Sequence, residues 1–356
     1  MEKEIVQTKI EALFRKQVQN DKRVKNAYLL VHSENWGIHL NIAEGITDTF
    51  AAHPQQPVHL ASVGKLFTAT IIGMLHERGD LSFDDQISKY LDVELMNKLH
   101  VYKGKDYSGE IKISHLLNQS SGLNDVFYHL WKKLIDTPQI ITPREAVIWG
   151  KENLKPKSKP GKKHFYTDTN YYLLGLIVEN VTKKPFHEIL HHFIFEPLEM
   201  KHAYMMGFSE PAVKPEHPTA KLFLNGIDAT RVKGVSHIDY AGGGVVATLE
   251  EYLVFMKALV NHQLVKDQTL RRMLSDDYKS YPTIRYGYAI WKFITIPVIL
   301  PQQFNCWGCA GVTGAFMFYH PMTESFIIGS FNDMSYKSKA LNFMLQKIIR
   351  QLLKLT

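Results

Sequence analysis

Ser62 and Lys65 stand three positions apart in "HLASVGKLFTATIIGMLHERGDLS", at the front of a long apolar run. Residues i and i+3 share a helix face, so the hydroxyl and the ammonium come within reach of each other. Leu60, Leu66 and Phe67 desolvate that face, which lowers a lysine pKa and lets the amine accept a proton. A backbone N–H in the first helical turn adds a donor for a developing oxyanion. Together these describe an activated serine nucleophile. The same residues also fit a serine near an N-cap followed by a lysine that lays its stem on apolar surface.

A second group lies in "KPGKKHFYTDTNYYLLG", where Tyr166 and Asp168 follow a Pro-Gly turn and precede an apolar helix. In extended chain, i and i+2 face the same way, so the two can share a site. A phenolate stabilised by nearby lysines is a base for a serine hydroxyl. Taken alone, Asp168 reads as a helix cap and Tyr166 as a packed aromatic. The six lysines from Lys151 to Lys163 read as a solvated loop. On the rim of a cleft they favour anionic substrates.

Two further motifs point elsewhere. "HEILH" puts His187 and His191 one helical turn apart with Glu188 between, and Glu196 or His192 as a third ligand, which is the pattern of a zinc hydrolase. "CWGC" has redox C-x-x-C spacing, but it leads into a strand, where extended geometry separates Cys306 from Cys309. Both cysteines then read as structural.

The elements that must position these groups follow from periodicity. Leu66, Ala69, Thr70, Ile72, Gly73 and Leu75 recur at near-helical spacing, and His76, Arg78 and Gly79 follow in the order of a helix C-terminus. "AYLLVHS" and "WGIHLNIAEG" read as paired strands, and "IRYGYAIWKFI", "TGAFMFYHP" and "SFIIGSFND" as a second group near the end. From about Leu81 to Leu198 the pattern is helical segments and loops. The final "YKSKALNFMLQKIIRQLLKLT" is an amphipathic helix, read as packing on the sheet rather than on a membrane surface. The expected fold is α/β, of the α+β kind: an antiparallel sheet built from both chain ends with flanking helices, residues 1–80 and 220–356, and a mainly helical lobe, residues 81–219. The active site falls in the cleft between them.

Composition narrows the function classes. With 356 residues and 45% hydrophobic content the chain can bury a large core. Its formal charge of +7 comes from scattered lysines and no nucleic-acid-binding module is legible. "MEKEIVQTKIEALFRKQVQNDKR" reads as a charged amphipathic helix rather than a signal peptide, and no segment is apolar enough to span a bilayer, so the expectation is a soluble cytoplasmic protein. Two cysteines are too few for a disulfide framework.

Jointly, "SVGK", "YTD" and "GCAGVTGAFMFY" resemble, in order and spacing, the serine β-lactamase and penicillin-binding-protein superfamily, on the branch of class C β-lactamases, D-Ala-D-Ala carboxypeptidases, D-aminopeptidases and esterases. "HLLNQSSGL", "PGKKHFYTDTNYYLLGLIVENVT", "FEPLEMKHA" and "YAGGGVVATLEEYLVFMKALV" are similar to further blocks of that branch, so the resemblance covers most of residues 55–335. It implies a β-lactamase/transpeptidase-like fold and acyl transfer through a Ser62 acyl-enzyme, with Lys65 and Tyr166 sharing the proton work. Asp168 takes the place of the usual asparagine that binds the lysine and the substrate amide, and holds Lys65 protonated. At the third motif, normally Lys-Thr-Gly or His-x-Gly, the aligned residues are Cys309, Ala310 and Gly311, with Cys309 facing the cleft and open to a thiol reagent. The N–H of Val312 completes an oxyanion hole with that of Ser62. No cofactor is implied. The missing cation points to an ester or a D-amino-acid amide or peptide, a small and possibly anionic molecule, rather than to efficient β-lactam hydrolysis. The rivals are a non-catalytic binding module on the same fold and a zinc hydrolase using His187 and His191.

Overall fold

The computed structural model describes residues 2–296 and 300–356. Val6, Ile10, Phe14 and Val18 form one buried stripe along the first helix, Glu2–Gln19. The stripe lies on a nine-stranded antiparallel sheet whose order is 278–281, 284–286, 291–293, 306–311, 315–320, 325–330, 26–33, 38–47 and 50–51. The two chain ends meet where Tyr28 pairs with Ser330 and His32 with Phe326.

The run "AYLLV" is continuously apolar because both faces of its strand are covered. Tyr28 and Leu30 point into a core shared with the helices, while Ala27, Leu29 and Val31 point into a second core under the terminal helices. That second core joins Phe14 to Phe343, Met344 and Ile348 of the C-terminal helix, which packs on the sheet. Each fully buried Leu or Phe there contributes about 1.5–3 kcal/mol relative to exposure. "IRYGYAIWKFI" is not one strand but two, Ile284–Tyr286 and Trp291–Phe293, paired antiparallel. Ala289 with φ 59° and a Gly287 N–H to Ile290 carbonyl bond of 2.8 Å turn the chain between them.

Between the sheet segments the chain is helical. Pro143–Asn153 starts at a Thr142–Glu145 capping box. Thr169–Thr182 is buried nearly all round, as a central helix must be to carry "YYLLGLIV". It packs against Gly64–Arg78 and Val235–Gly243, and the latter also contacts Phe127–Asp136 and Pro143–Asn153. A helix that follows residue 220 therefore packs among the helices of the middle of the chain. No described helix is long and apolar enough to cross a membrane.

Candidate active site

Ser62 occupies a single 3-10 turn, Ala61–Val63, that runs directly into the helix Gly64–Arg78, which ends at Gly79 in the left-handed conformation. Ala61, just before the serine, has φ 49°. A non-glycine residue there costs on the order of 1–3 kcal/mol and persists only where its surroundings fix it. Here the neighbouring strand does so: a Cβ on Gly311 would run into the Leu60 carbonyl and approach the Ala61 Cβ to 3.1 Å. At the other side of the turn, a Cβ on Gly64 would lie 2.8 Å from the Gly243 Cα. That close approach presents the Gly242 carbonyl to Lys65.

Lys65 is fully buried and all three of its N–H donors are engaged. Its Nζ donates to Ser62 Oγ at 3.1 Å and to the Gly242 carbonyl at 2.7 Å, and it forms a close ion pair with Asp168 Oδ1. Burial alone depresses the ammonium, but the charge and hydrogen bond of Asp168 outweigh it, and the net shift is upward. The lysine is a held cation, not the free amine that desolvation alone suggests.

The Tyr166 phenol is electrostatically coupled to the Ser62 side chain, and Lys65 Nζ sits 5.3 Å from its ring centroid. Its phenol is pushed well above the usual value, by burial first and then by Asp168 and Cys309. The phenolate stabilised by loop lysines is therefore corrected to a neutral phenol in the free site. None of the lysines from Lys151 to Lys163 lines the cavity beside Ser62.

Asp168 stands at the N-terminus of Thr169–Thr182, yet its side chain makes no capping bond. It faces Lys65 instead, and its backbone N–H donates to Asp125 Oδ1 at 2.9 Å. Asp125, unforeseen from sequence, lines the same cavity, and its carboxyl is pushed well above the ordinary range by burial and then by Asp168. His59 and Asp239 were equally unforeseen. His59 Nδ1 accepts the Ala61 N–H at 3.2 Å, which leaves the ring proton on Nε2, 2.7 Å from Asp239 Oδ2. This pair ties the strand before Ser62 to the helix that supplies the Gly242 carbonyl. Asp125 directly follows "SSGLN", and Asp239 directly precedes "YAGGG", so each flanks a block that was legible.

Gly311 and Val312 line the cavity with Ser62, but Cys309 does not. Cys309 shares a strand face with Gly311 and lies beneath the serine turn, its thiol donating to the Ser62 carbonyl at 3.2 Å, with no exposed surface. The expectation of an accessible cleft thiol is thus corrected: the turn that carries Ser62 covers it. Cys306, an odd number of residues away, points into the opposite core, and both thiols are free. Burial pushes Cys309 up to about 12 and Cys306 higher still. Thiolate is the reactive form, so neither cysteine labels with iodoacetamide near pH 8 in the native state, while both label after unfolding. Peptide mass spectrometry checks this.

His187 and His191 do not line the cavity. His187 packs on the ring of Phe208, and His191 lies 4.0 Å from Glu196 on the surface. Among the described residues no three His, Cys, Asp or Glu side chains are grouped to hold a metal. The H-E-x-x-H spacing is met without the third ligand a zinc hydrolase requires.

Comparison with known proteins identifies the family and the fold. The sequence model of the Beta-lactamase family matches residues 18–350. Protein flp of Staphylococcus aureus strain MW2 is 30% identical over 206 residues, 54% of this chain and 37% of that protein, so the chain spans well under half the length of the curated relatives it matches first. D-amino acid amidase from Ochrobactrum anthropi SV3 superposes with a TM-score of 0.79 at 18% identity, covering 98% of each chain. EstCE1, a hydrolase with promiscuous acyltransferase activity, superposes with a TM-score of 0.77 at 17% identity, covering 99% of each. The sheet built from both chain ends and the helices packed on it are the β-lactamase/transpeptidase-like fold, and the chain belongs to the β-lactamase family.

Proposed function

We propose that the protein is a serine hydrolase that transfers the acyl group of an ester or amide to Ser62 and then to water. One observation carries the reading: a fully buried ammonium, Lys65, donates to the Oγ of a partly exposed serine while Asp168 and the Gly242 carbonyl hold it in place. A packing lysine has no reason to be buried against a hydroxyl at the mouth of a cavity. Ser62 Oγ attacks the carbonyl, and the backbone N–H groups of Ser62 and Val312 receive the oxyanion. Tyr166, beside Ser62 and once deprotonated to the phenolate, takes the serine proton and returns it to the leaving group.

The substrate is an ester or the amide of a D-amino acid, in keeping with the amidase and esterase that share the fold. Efficient β-lactam hydrolysis is not expected, because Cys309 offers no cation where the family places one. Turnover of p-nitrophenyl acetate and of D- against L-phenylalanine amide tests the reading. Ser62-dependent turnover of either class supports it, and turnover of neither argues for a non-catalytic binding module.

Asp168→Asn tests the anion that raises both candidate bases. Removing the anion leaves burial to act on Lys65 alone, so its pKa falls and a neutral amine appears at lower pH. Asp168 also raises the Tyr166 phenol, so the alkaline-rising limb of the rate profile moves to lower pH in this variant whichever of the two is the base. The ester rate at pH 7 stays within about tenfold of the parent, because the hydrogen bonds to Ser62 and Gly242 remain. A pH profile of kcat/KM reads both quantities, and an unmoved limb would assign the proton work to a group that Asp168 does not influence.

A further inference from the structure

The cavity at Ser62 is larger than the chemistry there requires, at about 690 Å³. That is room for a drug-sized ligand, far beyond an acetyl or alanyl group. Its far wall is formed by Ile284, Phe293, Ala310, Leu341 and Leu345. These belong to the second core, on the side of the sheet covered by the C-terminal helix, whereas Ser62 and Tyr166 lie on the other side. Successive side chains of a strand alternate between faces, so Gly311 fronts the serine and Ala310 fronts the C-terminal helix. The neighbouring strand 291–293 pairs only with 306–308, so one cavity that touches both faces passes around the open edge at 309–311, beside Trp291, Val312 and Thr313, which also line it. Trp291 flanks the passage, and Lys337 and Asn342 give it a polar rim.

We infer that this passage is a binding channel for an unbranched alkyl chain on the substrate; the inference rests on Ser62 as the acylated residue. The bend around the strand edge excludes a rigid bulky group, and the apolar far wall penalises a polar one, which would lose its hydration without finding partners. A flexible hydrocarbon chain meets both conditions and gains by leaving water. The chain belongs either to the acyl group or to the alcohol, and both present the same chemistry to the channel.

Two series distinguish these sources: p-nitrophenyl esters from acetate to decanoate, and n-alkyl acetates from methyl to octyl. In one of them kcat/KM rises about three- to fourfold per added methylene over the first several carbons, then levels off at the length of the channel. Ala310→Trp and Leu341→Trp, which fill the far end, lower the ratio of the longest to the shortest substrate by at least about tenfold in that series. Flat or falling profiles in both series, with Ser62-dependent turnover of the short esters intact, would overturn the channel and leave the Ser62 reading standing. Absence of any Ser62-dependent turnover would overturn that reading and the channel with it. The wild-type profiles decide the matter even if the tryptophan variants fail to fold.

Discussion

Tyr166→Phe lowers kcat/KM for an activated ester by about 10²- to 10⁴-fold, the range removed with a general acid–base group. The reason is local. Lys65 has all three donors engaged and carries its charge, so it has no lone pair to offer Ser62. The phenol oxygen, coupled to Ser62, is left as the acceptor, and phenylalanine lacks it. The pH dependence has a definite sign. Tyr166 is shifted upward, and only its phenolate can accept the serine proton. The active fraction therefore grows with pH, and log kcat/KM climbs with a slope near one from about pH 7 to pH 9. A rate profile of the parent and of Tyr166→Phe checks both points. A plateau through that range, or a neutral Tyr166→Phe, would transfer the proton to another group.

Ser62→Ala removes the acyl acceptor itself, so ester turnover falls by about 10⁴-fold or more, to the background left by binding and the oxyanion donors. Folding should survive. The Oγ accepts one hydrogen bond from Lys65, and the ammonium keeps Asp168 and the Gly242 carbonyl when it is lost. An unchanged thermal midpoint alongside lost activity separates a chemical role from a structural one. Retained turnover in this variant would remove Ser62 from the mechanism.

What was legible in the sequence was what is local. The helix behind Ser62 reads from its apolar spacing and its Gly79 stop, because both act within a few residues. The pairing of 26–33 with 38–47 reads from two apolar runs joined by a short turn. The sign of the Lys65 shift was not local: the apolar neighbours indicate a lowered pKa, and Asp168, 103 residues away, reverses it. The resemblance to a known family anticipated that reversal, where periodicity does not. The Gly242 carbonyl, 177 residues from Lys65, is a backbone group and leaves no signature in residue types. Asp125, His59 and Asp239 were missed for a related reason, since each becomes part of the site only when separate segments pack around the serine turn. Cys309 shows the converse error. Its strand position was read correctly, but whether a side chain beside the serine meets solvent depends on the turn above it, which strand periodicity does not describe.

Intact-mass spectrometry after incubation with a fluorophosphonate tests the central claim most directly, because the reagent reports an activated serine without assuming a substrate. The account predicts a single adduct on the wild-type protein, located on Ser62 by peptide mapping, and none on Ser62→Ala. An unmodified wild-type protein, or an adduct that persists in Ser62→Ala, would contradict it.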